Sequence, residues 1–174
     1  AASDVYKRQI FNFSPTLAIF LISGAYLKGK YAFLFPIVGI ILTDLTLNPN
    51  YGVNLFEPFM IVTVMSYFLI FFFGKKIGNQ RTTPAILGAG IASAIAFHVI
   101  TCSFSWISNP AYNKTFYGWI QSLVMGEPGY APSYLFLRNS VLSTALFTVL
   151  FAYLAKGIAL KQSSIRSKAI LQAN

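Results

Sequence analysis

From Pro84 to Ile107 the chain runs without a single lysine, arginine, aspartate or glutamate. A helix of that length, rising about 1.5 Å per residue, crosses the roughly 30 Å hydrocarbon core of a bilayer. Four more apolar runs accompany it: Phe11–Leu27, Tyr31–Leu47, Leu55–Gly74 and Tyr134–Ala155. Charged residues make up 10% of the chain, against roughly 25% in soluble domains. These runs predict one compact all-α integral membrane helical bundle with five spans, whose first partner is the lipid bilayer. The first nine residues, AASDVYKRQ, stand outside the pattern and read as a non-native, adapter-like tail. The bundle is expected over residues 10–160, with a basic cytoplasmic tail over 161–174.

Two runs carry local signals. In the first, Pro15 suits an opening helical turn with Ser14 as its cap, and the uncharged core that follows is short for a span. In the fourth, Gly88, Ala92 and Ala96 stand four apart, as do Ala85, Ala89 and Ser93. Such small-residue stripes let helices approach closely in lipid.

The formal net charge is +9, yet the basic residues cluster beside the ends of apolar runs, which points to topology rather than to nucleic acid. Lys28 and Lys30 form one group, Lys75, Lys76 and Arg81 a second, and Lys156, Lys161, Arg166 and Lys168 a third. The positive-inside rule makes all three cytoplasmic, the C-terminus included. Asp44, Glu57 and Glu127 then fall on the outer side. This holds only if Thr115–Met125 does not span, so that segment is predicted to be a short interfacial helix. Five spans leave the N-terminus outside. A sixth, preceding helix in the full-length protein would bring both termini inside.

Phe104–Pro132 lies between two apolar runs and is rich in aromatic and polar groups, so it is expected to cap the outer face. Asp44 and Arg138 sit inside apolar runs. An ionisable group in a span is a functional candidate, and the two are expected to pair. Asn12, Ser14, Trp106, Asn109, Tyr112, Lys114 and Asn139 complete the expected ligand-binding set around them. The alternative reading makes the asparagines helix and turn caps and the aromatics an interface belt. His98, the sole histidine, is expected to be neutral and bonded to a neighbour, and Cys102 to be packing. Neither a metal cluster nor a catalytic signature is present, so no cofactor and no enzyme activity are expected.

The run Asn12-Phe13-Ser14-Pro15, then Gly24-Ala25-Tyr26, Pro36 and Asp44, resembles an uncharacterised family of bacterial integral membrane proteins. Trp106, Tyr112-Asn113-Lys114-Thr115, Gly118 and Leu137-Arg138-Asn139 continue the resemblance over roughly residues 11 to 155. That family is distantly similar to the substrate-binding S components of energy-coupling-factor vitamin transporters. The similarity implies a six-helix bundle in the bacterial inner membrane, a pocket opening outward, and a transmembrane coupling subunit with ATPases as partner. The function expected from it is binding and uptake of a small polar solute. A non-transporting scaffold or complex subunit is the alternative, and an intramembrane enzyme the third reading.

Overall fold

The computed structural model describes residues 12–27, 29, 32–34, 36–38, 40–41, 58–78 and 82–173. Asp44, Asn48, Asn54 and Glu57 lie outside the described residues, as does most of the second apolar run. The described chain is all-helical. Five helices are bounded in it: α1 Thr16–Tyr26, α2 Pro58–Ile77, α3 Thr83–Ser108, α4 Phe116–Val124 and α5 Ser133–Ala173. Three of them, α2, α3 and Ser133–Ile158 of α5, are long and apolar enough to cross a membrane.

The short helix α1 occupies the centre. Eight of its 11 residues are buried: Leu17, Ala18 and the run Phe20–Ala25. A helix that is apolar all round has no face to give to water, and it satisfies itself by being surrounded. At 11 residues it is about 17 Å long, well short of a crossing, in keeping with its short uncharged core. It begins one residue later than Pro15 at its first turn predicts: Pro15 is the N-cap, and Ser14 Oγ accepts from the Thr16 amide at 3.2 Å.

What holds α1 against α2 is glycine. A Cβ placed on Gly24 would stand 2.0 Å from the Phe71 carbonyl oxygen, and one on Gly74 would stand 2.2 Å from that of Leu21. The two backbones touch there, in the close approach small residues permit. Around this crossing Phe20 stacks on Tyr67 at 4.8 Å between ring centroids, and Tyr67 stacks on Phe97 of α3 at 5.5 Å. Leu17, Leu21, Ile70, Phe71, Ala89 and Ala94 fill in the core. A second apolar cluster, Ile22, Ile86 and Ala152, closes the opposite end of α1.

The two stripes predicted on α3 part company. Ala89 and Ser93 are buried, whereas Gly88, Ala92 and Ala96 are exposed. The packing against α5 is made instead at Gly90, whose added Cβ would meet Thr148 Oγ1 at 2.8 Å.

The ends of the bundle sort by charge. Lys75 and Lys76 close α2, and Lys156 Nζ donates to Thr83 Oγ1 at 3.0 Å, so these form a lysine end. Residues 109–132 and Asn12 lie at the other end, where Asn12 Nδ2 donates to Ser140 Oγ at 2.8 Å. Helices α1, α2 and α5 run from this cap end to the lysine end, and α3 runs back. α5 continues without a break through position 161 to Ala173, past the polar tail expected from 161. The segment after Gly157 has no proline and is rich in alanine, lysine, leucine and glutamine, all good helix formers.

Candidate functional site

The cap is built from the end of α3. The last carbonyls of a helix have no intrahelical donor. Here the Lys114 ammonium donates to the carbonyls of Trp106 and of Asn109, the latter at 2.8 Å. A cation at a helix C-terminus is also favoured by the macrodipole. Trp106 Nε1 donates to the Asn113 carbonyl at 2.9 Å. Asn109 Oδ1 accepts from the Ala111 amide at 2.9 Å, an Asx turn, and its Nδ2 donates to Glu127 Oε2 at 2.8 Å. Trp106, Asn109 and Lys114, expected as ligand groups, thus direct these polar atoms into the cap itself.

The short helix predicted over Thr115–Met125 is present as α4, within a residue of its expected ends. Thr115 caps it, Oγ1 accepting from the Gly118 amide at 3.2 Å. Gly118 is required by contact: a Cβ would stand 2.0 Å from the Asn113 carbonyl oxygen. The helix buries its small residues, Gly118 and Ser122, against the bundle. It exposes Phe116, Tyr117, Ile120 and Val124. Trp119 Nε1 donates to Ser103 Oγ at 2.8 Å and ties α4 to α3. His98, buried in α3, donates from Nε2 to the Leu123 carbonyl at 2.9 Å, with Cys102 Sγ beside the ring. Among the described residues no serine or carboxylate hydrogen-bonds His98.

The chain then folds back along α4. Gly126 and Gly129, with φ of 74° and 92°, take the left-handed backbone that glycine adopts without penalty. Glu127-Pro128-Gly129-Tyr130 closes as a turn, the Tyr130 amide donating to the Glu127 carbonyl at 3.2 Å. Proline second and a positive-φ glycine third is the type II pattern. Between this turn and α4 a cavity of about 580 Å³ opens on the cap end, lined by Tyr117, Gln121, Met125, Glu127, Tyr130 and neighbouring apolar groups. That volume falls in the range of small-molecule sites.

None of the described members of the expected site lines this cavity. Asn109 is bonded to the lining residue Glu127, Trp106 and Lys114 bond within the cap, and Tyr112 is buried. Asn12 and Ser14 stand at the start of α1. Asn12, at φ 60°, meets Ser140 next to Arg138 and Asn139 on α5, where Arg138 Nε donates to Asn139 Oδ1 at 3.2 Å. The Asp44–Arg138 pairing lies outside the described residues. The aromatic belt also divides: Tyr112 is 5% exposed, while Tyr117 and Tyr130 are 80% and 74% exposed. Burial of Tyr112, reinforced by the Glu127 charge, pushes its phenol above the ordinary tyrosine value. The lining residues missed by the expected set, Gln121, Glu127 and Tyr130, had one legible sign, the Glu127–Tyr130 turn signature.

No curated protein and no solved structure matches the chain. Residues 1–166 match DUF6580, a family of unknown function, and the chain belongs to that family.

Proposed function

We propose that this chain is a membrane-embedded subunit that binds a small polar solute on its cap end and takes part in its uptake. The observation that carries the reading is the cavity of about 580 Å³ between α4 and the Glu127–Tyr130 turn. It combines apolar walls with few polar groups, as small-molecule sites do. In this reading α2, α3 and α5 cross the bacterial inner membrane, and α1 and the run Tyr31–Leu47 complete five embedded segments. The lysine end is cytoplasmic by the positive-inside rule, which places the C-terminus inside and the cap outside. Phe116, the exposed aromatic of α4 that does not line the cavity, faces the bilayer surface in this reading. Asn12, Arg138 and Asn139 add a second polar patch at the same end. Likeness to the S components of energy-coupling-factor transporters suggests a transmembrane coupling subunit with ATPases as partner.

A second reading, a non-transporting scaffold or complex subunit, draws on a different feature. A groove of about 260 Å³ between α2 and α3 is lined by Ser66, Leu69, Phe73, Ala92, Ser93 and Ala96. The buried Ser93 hydroxyl has no hydrogen-bond partner among the described residues. Native mass spectrometry of protein purified from its source membrane separates the two. Uptake predicts a retained small molecule that is released on collisional activation. A protein partner held with no small molecule, across several growth media, favours the scaffold and removes the uptake reading.

A further inference from the structure

The chemistry of the cap cavity narrows what it accepts. Its lining contains one charged group, Glu127. One oxygen of that carboxylate is held by Asn109 Nδ2 at 2.8 Å, which fixes the group at the start of the turn. Among the described residues no cation lies within ion-pair distance of it. The nearest basic residue of the cap in sequence, Lys114, directs its ammonium at the carbonyls of Trp106 and Asn109. The turn sets Tyr130 three residues from Glu127 on one wall, and α4 presents Tyr117 and Gln121 on the other. Both tyrosine rings are largely exposed and carry free faces. An anion would meet the carboxylate with no compensating positive charge in the lining. A sugar-like polyol would find Gln121 and Glu127 as the only hydrogen-bonding side chains besides the two phenols. A cation finds a fixed counter-charge and two electron-rich rings, the combination that recognises ammonium groups.

We propose that this cavity binds a small organic ammonium ion, its charge on Glu127 and its apolar body between Tyr117 and Tyr130. The inference rests on the solute-binding reading above and names the solute's class. The same ammonium chemistry is offered by a free solute or by the headgroup of a zwitterionic lipid, and the test separates them.

Both tryptophans, Trp106 and Trp119, lie in or beside the cap, so intrinsic fluorescence reports on it. The full chain is placed in nanodiscs of phosphatidylglycerol and titrated with choline, and separately with its uncharged isostere 3,3-dimethylbutan-1-ol. Choline should give a saturable change, and the isostere should bind at least about tenfold more weakly. Glu127→Gln keeps an acceptor for Asn109 and removes the charge, and it should weaken choline about tenfold. Tyr130→Ala, at an exposed position, should weaken it several-fold. Thermal melting of both variants within a few degrees of the parent certifies folding. Choline binding in phosphatidylglycerol identifies a free cation. A Glu127-dependent fluorescence change on moving to phosphatidylcholine nanodiscs, without response to choline, identifies a headgroup. Equal binding of choline and isostere, or no effect of Glu127→Gln on binding in either bilayer, overturns the proposal. Proteoliposome uptake keeps the two readings distinguishable. Choline bound but not transported removes uptake and leaves the site, whereas uptake of an uncharged solute unaffected by Glu127→Gln removes the ammonium site and leaves uptake.

Discussion

Gly74→Ala should be among the most damaging single-methyl changes available in this chain. The added Cβ would stand 2.2 Å from the Leu21 carbonyl oxygen and 3.0 Å from its carbonyl carbon. Both are backbone atoms of a buried helix, so no rotamer change relieves the clash. Restoring ordinary contact at 3.4 Å means opening the α1–α2 crossing by about 1.2 Å. A radial gap of about 0.5–1 Å already forfeits a quarter to a half of the dispersion attraction across it. The faces that separate carry Leu17, Phe20, Leu21, Ile70 and Phe71. Overpacking costs typically about 1–3 kcal/mol when side chains can adjust, so a backbone-on-backbone contact should cost about 3 kcal/mol or more. Gly24→Ala strikes the same crossing from the other side, 2.0 Å from the Phe71 carbonyl oxygen. The double variant should therefore cost less than the sum of the two. Gly88→Ala is the control: nothing lies within 4 Å of its Cβ, and relief of glycine in a helix should leave stability unchanged or raise it by up to about 1 kcal/mol. Reversible unfolding in mixed micelles, followed by tryptophan fluorescence, gives the comparison. If Gly74→Ala and Gly88→Ala differ by less than about 0.5 kcal/mol, the glycine crossing does not hold α1 in place.

Lys114→Met removes the ammonium that satisfies the Trp106 and Asn109 carbonyls. It should lower stability by about 1 kcal/mol while leaving solute affinity per folded molecule unchanged; a large affinity loss with no stability loss would make Lys114 a ligand group instead. Tyr112 gives a pH dependence with a definite sign. Its folded-state value is raised above the ordinary 10.0 by burial and then by the Glu127 charge, so the folded chain holds the phenol proton longer than the unfolded chain. Stability is then level below about pH 10 and falls as pH rises through the raised value. Tyr112→Phe should flatten that fall, as read from melting temperatures between pH 9 and 11, and an unchanged alkaline slope would count against a buried Tyr112.

Some of this architecture is legible in the sequence alone. The uncharged run Pro84–Ile107 announced α3, because length and lack of charge leave it little choice but a long buried or membrane helix. The short helix α4 followed from charge bookkeeping, and Thr115, a good N-cap residue, stands at its start. The core position of α1 was harder to see, since a short apolar run looks the same whether it touches lipid or neighbouring helices. The glycine crossing was hidden because Gly74 precedes two lysines and resembles a helix end. On α3 two interleaved stripes have the same four-residue spacing, and only the positions of α2 and α5 decide that Ala89 and Ser93 turn inward. The cap residues misled for a chemical reason. Asn109 and Lys114 are as well suited to capping a helix end as to binding a solute, and composition does not distinguish the uses. The cavity arises from the Glu127–Tyr130 turn folding back on α4, a tertiary contact with a local signature but no local sign of what it encloses.

Uptake through the cap requires the cap to face outward, and substituted-cysteine labelling measures that sidedness directly. In a Cys102→Ala background, Tyr130→Cys and Lys75→Cys each place one thiol at an exposed position, the first at the cap end and the second at the lysine end. An impermeant maleimide applied to intact cells should label the thiol at position 130 fully, and should label that at position 75 only after the membrane is permeabilised. Labelling at position 75 in intact cells, with position 130 protected until permeabilisation, would put the cap and its cavity in the cytoplasm and contradict uptake through the cap.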